Sequence, residues 1–139
     1  MLETIIHNIL AVCHEQPNVN TAAAGSIYEV MNTQPDLEYG VTVLFQNTHT
    51  EDNGFLTYSF TLFYVDRLKS DKSNEYEIMS NGIAVMRNVI LTLEEEYDWD
   101  ISDNRSYNTF TERFADECAG VFTTIEITVQ IEDICAELF

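Results

Sequence analysis

Residues 74–97, NEYEIMSNGIAVMRNVILTLEEEY, carry large apolar side chains at Met79, Ile83, Met86, Ile90, Leu93 and Tyr97. The steps alternate between four and three, which places all six on one stripe of an α-helix. A helix of this length must bury such a stripe, and the segments on both sides read as strands. The chain is therefore expected to lay one long helix across one sheet. Ser73 stands at the N-cap position, and Glu75 and Glu77 fall in the first turn, where the helix dipole favours negative charge. Gly82 costs about 1 kcal/mol against alanine inside a helix, which points to a close contact there. A coiled-coil seam would need about three to four sustained heptads, and the pattern stops at Tyr97.

The rest of the chain supplies the sheet. Leu2, Ile5, Ile6, Ile9, Leu10 and Cys13 give helical spacing over residues 2–15, ended by Gln16-Pro17-Asn18. Residues 21–25 (TAAAG) read as a connector. Ile27, Glu29 and Met31 alternate with Tyr28, Val30 and Asn32 and read as a short strand. Val41, Val43 and Phe45 begin a second strand over 41–47. Asn53-Gly54 is a strong turn signal. Leu56, Tyr58, Phe60, Leu62 and Tyr64 follow at strict steps of two, so 41–47 and 55–67 are expected to form a hairpin with one apolar face. Its acidic tip (Glu51, Asp52) is expected at the end of an arm that can project. Residues 105–114 alternate weakly, 115–120 read as a connection, and 121–131 alternate cleanly between apolar and polar. Residues 133–139 (DICAELF) read as a helical turn or an apolar tail. With no repeat or linker, 1–139 is expected to be a single α+β domain with a mainly antiparallel sheet.

Charge sets the strongest functional bound. Twenty-four Asp and Glu against six Lys and Arg give a net charge of −18. A protein that grips phosphates or docks on anionic lipid needs the opposite balance. Glu94, Glu95, Glu96, Asp98 and Asp100 crowd the end of the long helix, where the dipole is already negative. An EF-hand loop begun at Asp98 would need Gly at position six and Glu at twelve, where Asp103 and Thr109 stand, so no calcium loop is read there. His7 and His14 lie about 10 Å apart along one helix face, too far to share a metal.

Catalytic patterns are absent. There is no GxSxG and no phosphate-cradling glycine loop. Cys13 and His14, as helix neighbours about 100° apart, do not form a nucleophile–base pair. Cys118 sits beside Asp116 and Glu117, which disfavour a thiolate. Three widely spaced cysteines, Cys13, Cys118 and Cys135, read as free thiols. The segment MLETIIHNIL has Glu3 and no basic region, unlike a signal peptide, and no apolar run reaches about 20 residues. Neither an enzyme nor a cofactor is expected.

Residues 109–130, TFTERFADECAGVFTTIEITVQ, resemble the C-terminal signature of tail-terminator and tail-completion (neck) proteins of tailed bacteriophages. An aromatic-Arg strand there leads through a short Ala-Gly connection into an alternating closing strand, and Phe110, Arg113, Phe114, Ala119 and Gly120 stand at the matching places. The element order upstream is similar too. The resemblance implies a virion structural protein, made in the host cytoplasm. It implies a homo-oligomeric ring, hexameric or dodecameric, joined to other neck, portal-adaptor or tail proteins, with DNA passing through and no membrane. Neck rings of short-tailed phages, including crAss-like ones, use related folds. The chain departs from some members in having no basic patch.

On this reading Phe55, Tyr58, Phe60, Tyr64, Ile134, Leu138 and Phe139 are expected at subunit interfaces, and Glu94, Glu95, Glu96, Asp98 and Asp100 on the lumen. A surface that repels nucleic acid suits a duct through which DNA slides without sticking. The first alternative reading is an acidic DNA mimic that inhibits a nucleic-acid-binding protein, and the second a small enzyme with an acidic metal site.

Overall fold

Two thirteen-residue strands form the centre of the molecule: β4 (Phe55–Arg67) and β7 (Cys118–Gln130). They pair antiparallel without a break, from Phe55 opposite Gln130 to Arg67 opposite Cys118. The computed structural model describes residues 1–33, 37–113 and 117–130. The other described elements are α1 (Leu2–His14), β1 (Thr21–Ala24), α2 (Ile27–Thr33), β2 (Val41–Gln46), β3 (Thr50–Asp52), α3 (Glu75–Tyr97), β5 (Asp100–Ile101) and β6 (Asn108–Arg113). The fold is α+β, with a mixed, mostly antiparallel sheet in the order β1-β2-β4-β7-β5. In addition, β3 pairs with β4, and β6 with β7.

Alternation along the central strands sorts their side chains onto two faces. Tyr58, Phe60, Leu62 and Tyr64 of β4 and Val121, Ile125 and Ile127 of β7 are buried in the main core, beneath α1 and α3. Each such side chain contributes about 1.5–3 kcal/mol through burial. Val41, Val43, Val65 and Phe110 form a second core on the opposite face, closed by Ile27, Val30 and Met31 of α2. Beyond α2 that face is polar: the Thr57 and Thr128 hydroxyls meet at 3.2 Å, and Thr124 and Glu126 are exposed.

The long helix lies where it is expected, but its buried stripe is rotated. Ile78, Gly82, Val85, Met86, Val89, Ile90 and Leu93 are buried, while Met79, Ile83 and Tyr97 pack only partly against the core. Gly82 explains the rotation. A Cβ built there would meet Val121 Cγ2 at 2.9 Å and Tyr64 Cδ1 at 3.0 Å, so the helix comes closest to the sheet at its smallest residue. The N-cap is Asn74 rather than Ser73, and its side chain makes no capping bond. Instead it closes the preceding loop: its Oδ1 accepts the Lys69 N–H at 2.9 Å, and its Nδ2 donates to the Arg67 carbonyl at 3.1 Å.

Three local expectations are corrected. Residues 27–33 are helical: Ile27, Val30 and Met31 stand at i, i+3 and i+4 and share one buried face. The supposed connector TAAA is β1, which runs parallel to β2 despite the low strand preference of alanine. The last strand begins at Cys118, because Cys118 and Ala119 continue the ladder opposite Arg67 and Asp66.

The hairpin exists, with Asn53 (φ 51°) and Gly54 (φ 84°) forming the turn from β3 into β4. Positive φ at both central residues is the type I′ pattern that matches strand twist. It is not a free arm, however. Its long strand has β2 and β3 along one edge and β7 along the other.

Candidate functional site

The acidic end of α3 is built by two anchors. The helix stops at Asp98, which adopts φ 53°, ψ 36° and donates its N–H to the Glu94 carbonyl. Short Asx side chains tolerate this left-handed geometry better than most residues. Two residues later the chain joins the sheet, with Asp100 opposite Thr128 and Ile101 opposite Ile127. The segment 98–100 is thus pinned by a helix cap on one side and a ladder on the other. Trp99 stacks on Tyr97, centroids 4.9 Å apart and planes 23° from parallel. Among the described residues, no group of three or more His, Cys, Asp or Glu is placed to hold a metal ion.

Beside this turn lies a cleft of 410 Å³, whose walls include Phe55, Asp98, Trp99, Asp100, Thr128 and Gln130. It joins two groups of residues that the sequence treats separately. Asp98 and Asp100 belong to the acidic cluster, and Phe55, 44% exposed, is the accessible member of the apolar set. Glu95 and Glu96 are exposed and Glu94 is half-buried on the last turn of the helix. Trp99, Thr128 and Gln130 carry no motif; only the pairing of β5 with β7 brings them here.

The other described interface candidates are corrected by their burial. Tyr58 is 6% exposed, Phe60 0% and Tyr64 1%. Their alternation marks a buried face, and what buries it is this chain's own α3. Ile134, Leu138 and Phe139 lie outside the described residues, as does Phe114. Phe110, Ala119 and Gly120 are buried.

A second titratable group sits near the opposite end of α3. Burial pushes the Tyr64 phenol up to about 12, assisted by the Asp66 carboxylate. Burial also raises the Asp66 carboxyl, with the nearby Glu77 charge adding to it. The Arg67 N–H, 2.8 Å from Asp66 Oδ1, and the Tyr64 hydroxyl pull the other way. A carboxyl whose folded value is raised binds its proton more tightly in the folded state. Its ionised form therefore costs stability at neutral pH, and that cost disappears as pH falls through the raised value. Asp66→Asn is expected to raise the melting temperature at pH 7, with the gain over the native chain shrinking towards pH 4. Thermal unfolding of both proteins across that range checks it. A gain that does not depend on pH would place the effect elsewhere than in ionisation.

Burial also pushes the Cys13 thiol up to about 12, against the effect of its hydrogen bond with Thr42. A thiol held in that state is a packing group and not a nucleophile. Among the described residues, no helix is long and apolar enough to cross a membrane.

No known family's model matches this chain, and no curated protein matches it.

Proposed function

We propose that this chain is a virion structural protein of a tailed bacteriophage. It forms a homo-oligomeric ring in the neck or tail, through which DNA passes. One observation carries the reading: an exposed apolar residue and carboxylates of the acidic cluster share one end of the fold, with Phe55, Asp98 and Asp100 on one cleft. A ring needs that adjacency, because contacts between neighbours and the wall of the channel must meet. Carboxylates on the channel wall repel DNA phosphates and keep the duplex from sticking. The helix, the sheet with its long hairpin, the long helix and the alternating closing strand follow the order seen in tail-terminator and tail-completion proteins, which supports the same reading.

The test is the native mass of the purified chain, followed by negative-stain imaging. The expected result is a closed ring of six or twelve copies with a central hole. The triple substitution of Glu94, Glu95 and Glu96 to lysine should leave the ring intact but make it retain DNA in a salt-dependent way. A ring whose lysine variant stays indifferent to DNA would remove these residues from the channel wall. A monomer that competes with DNA for a nuclease or polymerase would favour the mimic reading, which the net charge of −18 also suits.

A further inference from the structure

We propose that the open edge of β1 accepts an extended, lysine- or arginine-bearing segment of a partner protein as an added strand. β1 ends the described sheet, paired only with β2. The N–H groups of Thr21 and Gly25 donate inward, to the Gly40 carbonyl at 3.2 Å and the Leu44 carbonyl at 2.9 Å. Residues alternate in direction along a ladder, so Ala22 and Ala24 turn their N–H and C=O groups outward, away from β2. Four backbone groups in a row are a template for an incoming strand.

The other described edges are blunted. β6 carries an irregularity between Phe110 and Arg113, and Glu112 there is paired with Lys72. β3 and β5 are three and two residues long and carry Glu51, Asp52 and Asp100. β1 has no charge, no bulge and no proline. At its C-terminal end lies a pocket of 150 Å³ walled by Ile6, Ala24, Gly25, Leu44 and Phe45.

Charge selects the occupant. The first sixty-six residues, which supply α1, β1, α2 and β2, contain no lysine or arginine and eight carboxylates. Glu38, whose carbonyl accepts the Thr21 hydroxyl, flanks the start of the edge. A second copy would bring the same unbalanced charge, whereas a basic segment is drawn in.

The probe is a fluorescein-labelled nonapeptide alternating valine with lysine, added to the full chain and followed by anisotropy and amide hydrogen exchange. Binding is expected, with exchange at the Ala22 and Ala24 amides slowed at least tenfold. The same peptide with its pairing amides N-methylated should bind at least tenfold more weakly, although its charge is unchanged. Equal binding of the methylated peptide, or protection elsewhere than β1, would reduce the effect to charge attraction and overturn the proposal. So would equal binding of a valine–glutamate peptide. Protection of Ala22 and Ala24 that grows with protein concentration, without peptide, would give the edge to a second copy instead.

Discussion

Alanine in place of Gly120 is expected to leave little folded protein. A Cβ at this position would run into the Tyr64 carbonyl oxygen and stand 2.8 Å from Cζ of Phe110. The first obstacle is backbone in the neighbouring strand, which cannot rotate away. Overpacking a core costs about 1–3 kcal/mol where side chains can shift. Here the ladder itself has to open, at the third pair from one end of the longest strand pairing among the described residues, so the cost should exceed that range. Total stability is only about 5–15 kcal/mol for such domains. The measurement is the urea midpoint by circular dichroism, with Gly82→Ala as comparison. That second change gains about 1 kcal/mol of helix preference and loses against side-chain contacts with Val121 and Tyr64. A modest fall in midpoint is expected there. A Gly120→Ala protein with a native midpoint would show that the two central strands are not so closely opposed.

Phe60→Ala is expected to destabilise the fold by about 3–5 kcal/mol, the usual cost of emptying a fully buried aromatic site. Phe60 is 0% exposed and sits in the core beneath the long helix. Phe55→Ala, five residues earlier on the same strand, should cost far less, about 1 kcal/mol or under, since Phe55 is 44% exposed at the end of that strand. Chemical unfolding of the two variants separates a packing role from a contact role. If Phe55 serves neighbouring copies, its variant should keep the monomer's stability and lose assembly. Equal destabilisation by the two substitutions would contradict the burial described above.

The long helix and the two strands beside it were legible because their apolar spacing extends over many residues. The stripe was nevertheless misplaced. Reading by large side chains favoured Met79 and Ile83, while the closest approach to the sheet is made by Gly82, a residue with no hydrophobic signal. Over residues 27–33 the pattern satisfied two periods at once, and a segment so short gives too few repeats to choose between them. β1 was missed because alanines carry almost no strand preference; its pairing with β2 is decided by the rest of the fold. At the candidate site, the acid run was plain in the sequence. Its neighbours Phe55, Thr128 and Gln130 were not, because they arrive through pairing between distant strands. Tyr58, Phe60 and Tyr64 show the complementary failure: alternation reveals that a face is covered, and says nothing of what covers it.

The pairing of β4 with β7 also fixes an order of events during synthesis. Residues 55–67 find their partners only at 118–130, with the whole of the long helix between them. Contacts so remote in sequence close slowly, since the intervening chain must be gathered before they form. While the ribosome is still translating the helix, β4 can complete its hairpin with β2 and β3, but its other edge has nothing to meet. For that interval the bare edge of a thirteen-residue strand with one apolar face is exposed, the kind of surface on which nascent chains aggregate or recruit chaperones. The feature that makes the finished sheet continuous is thus the one that leaves the unfinished chain most vulnerable.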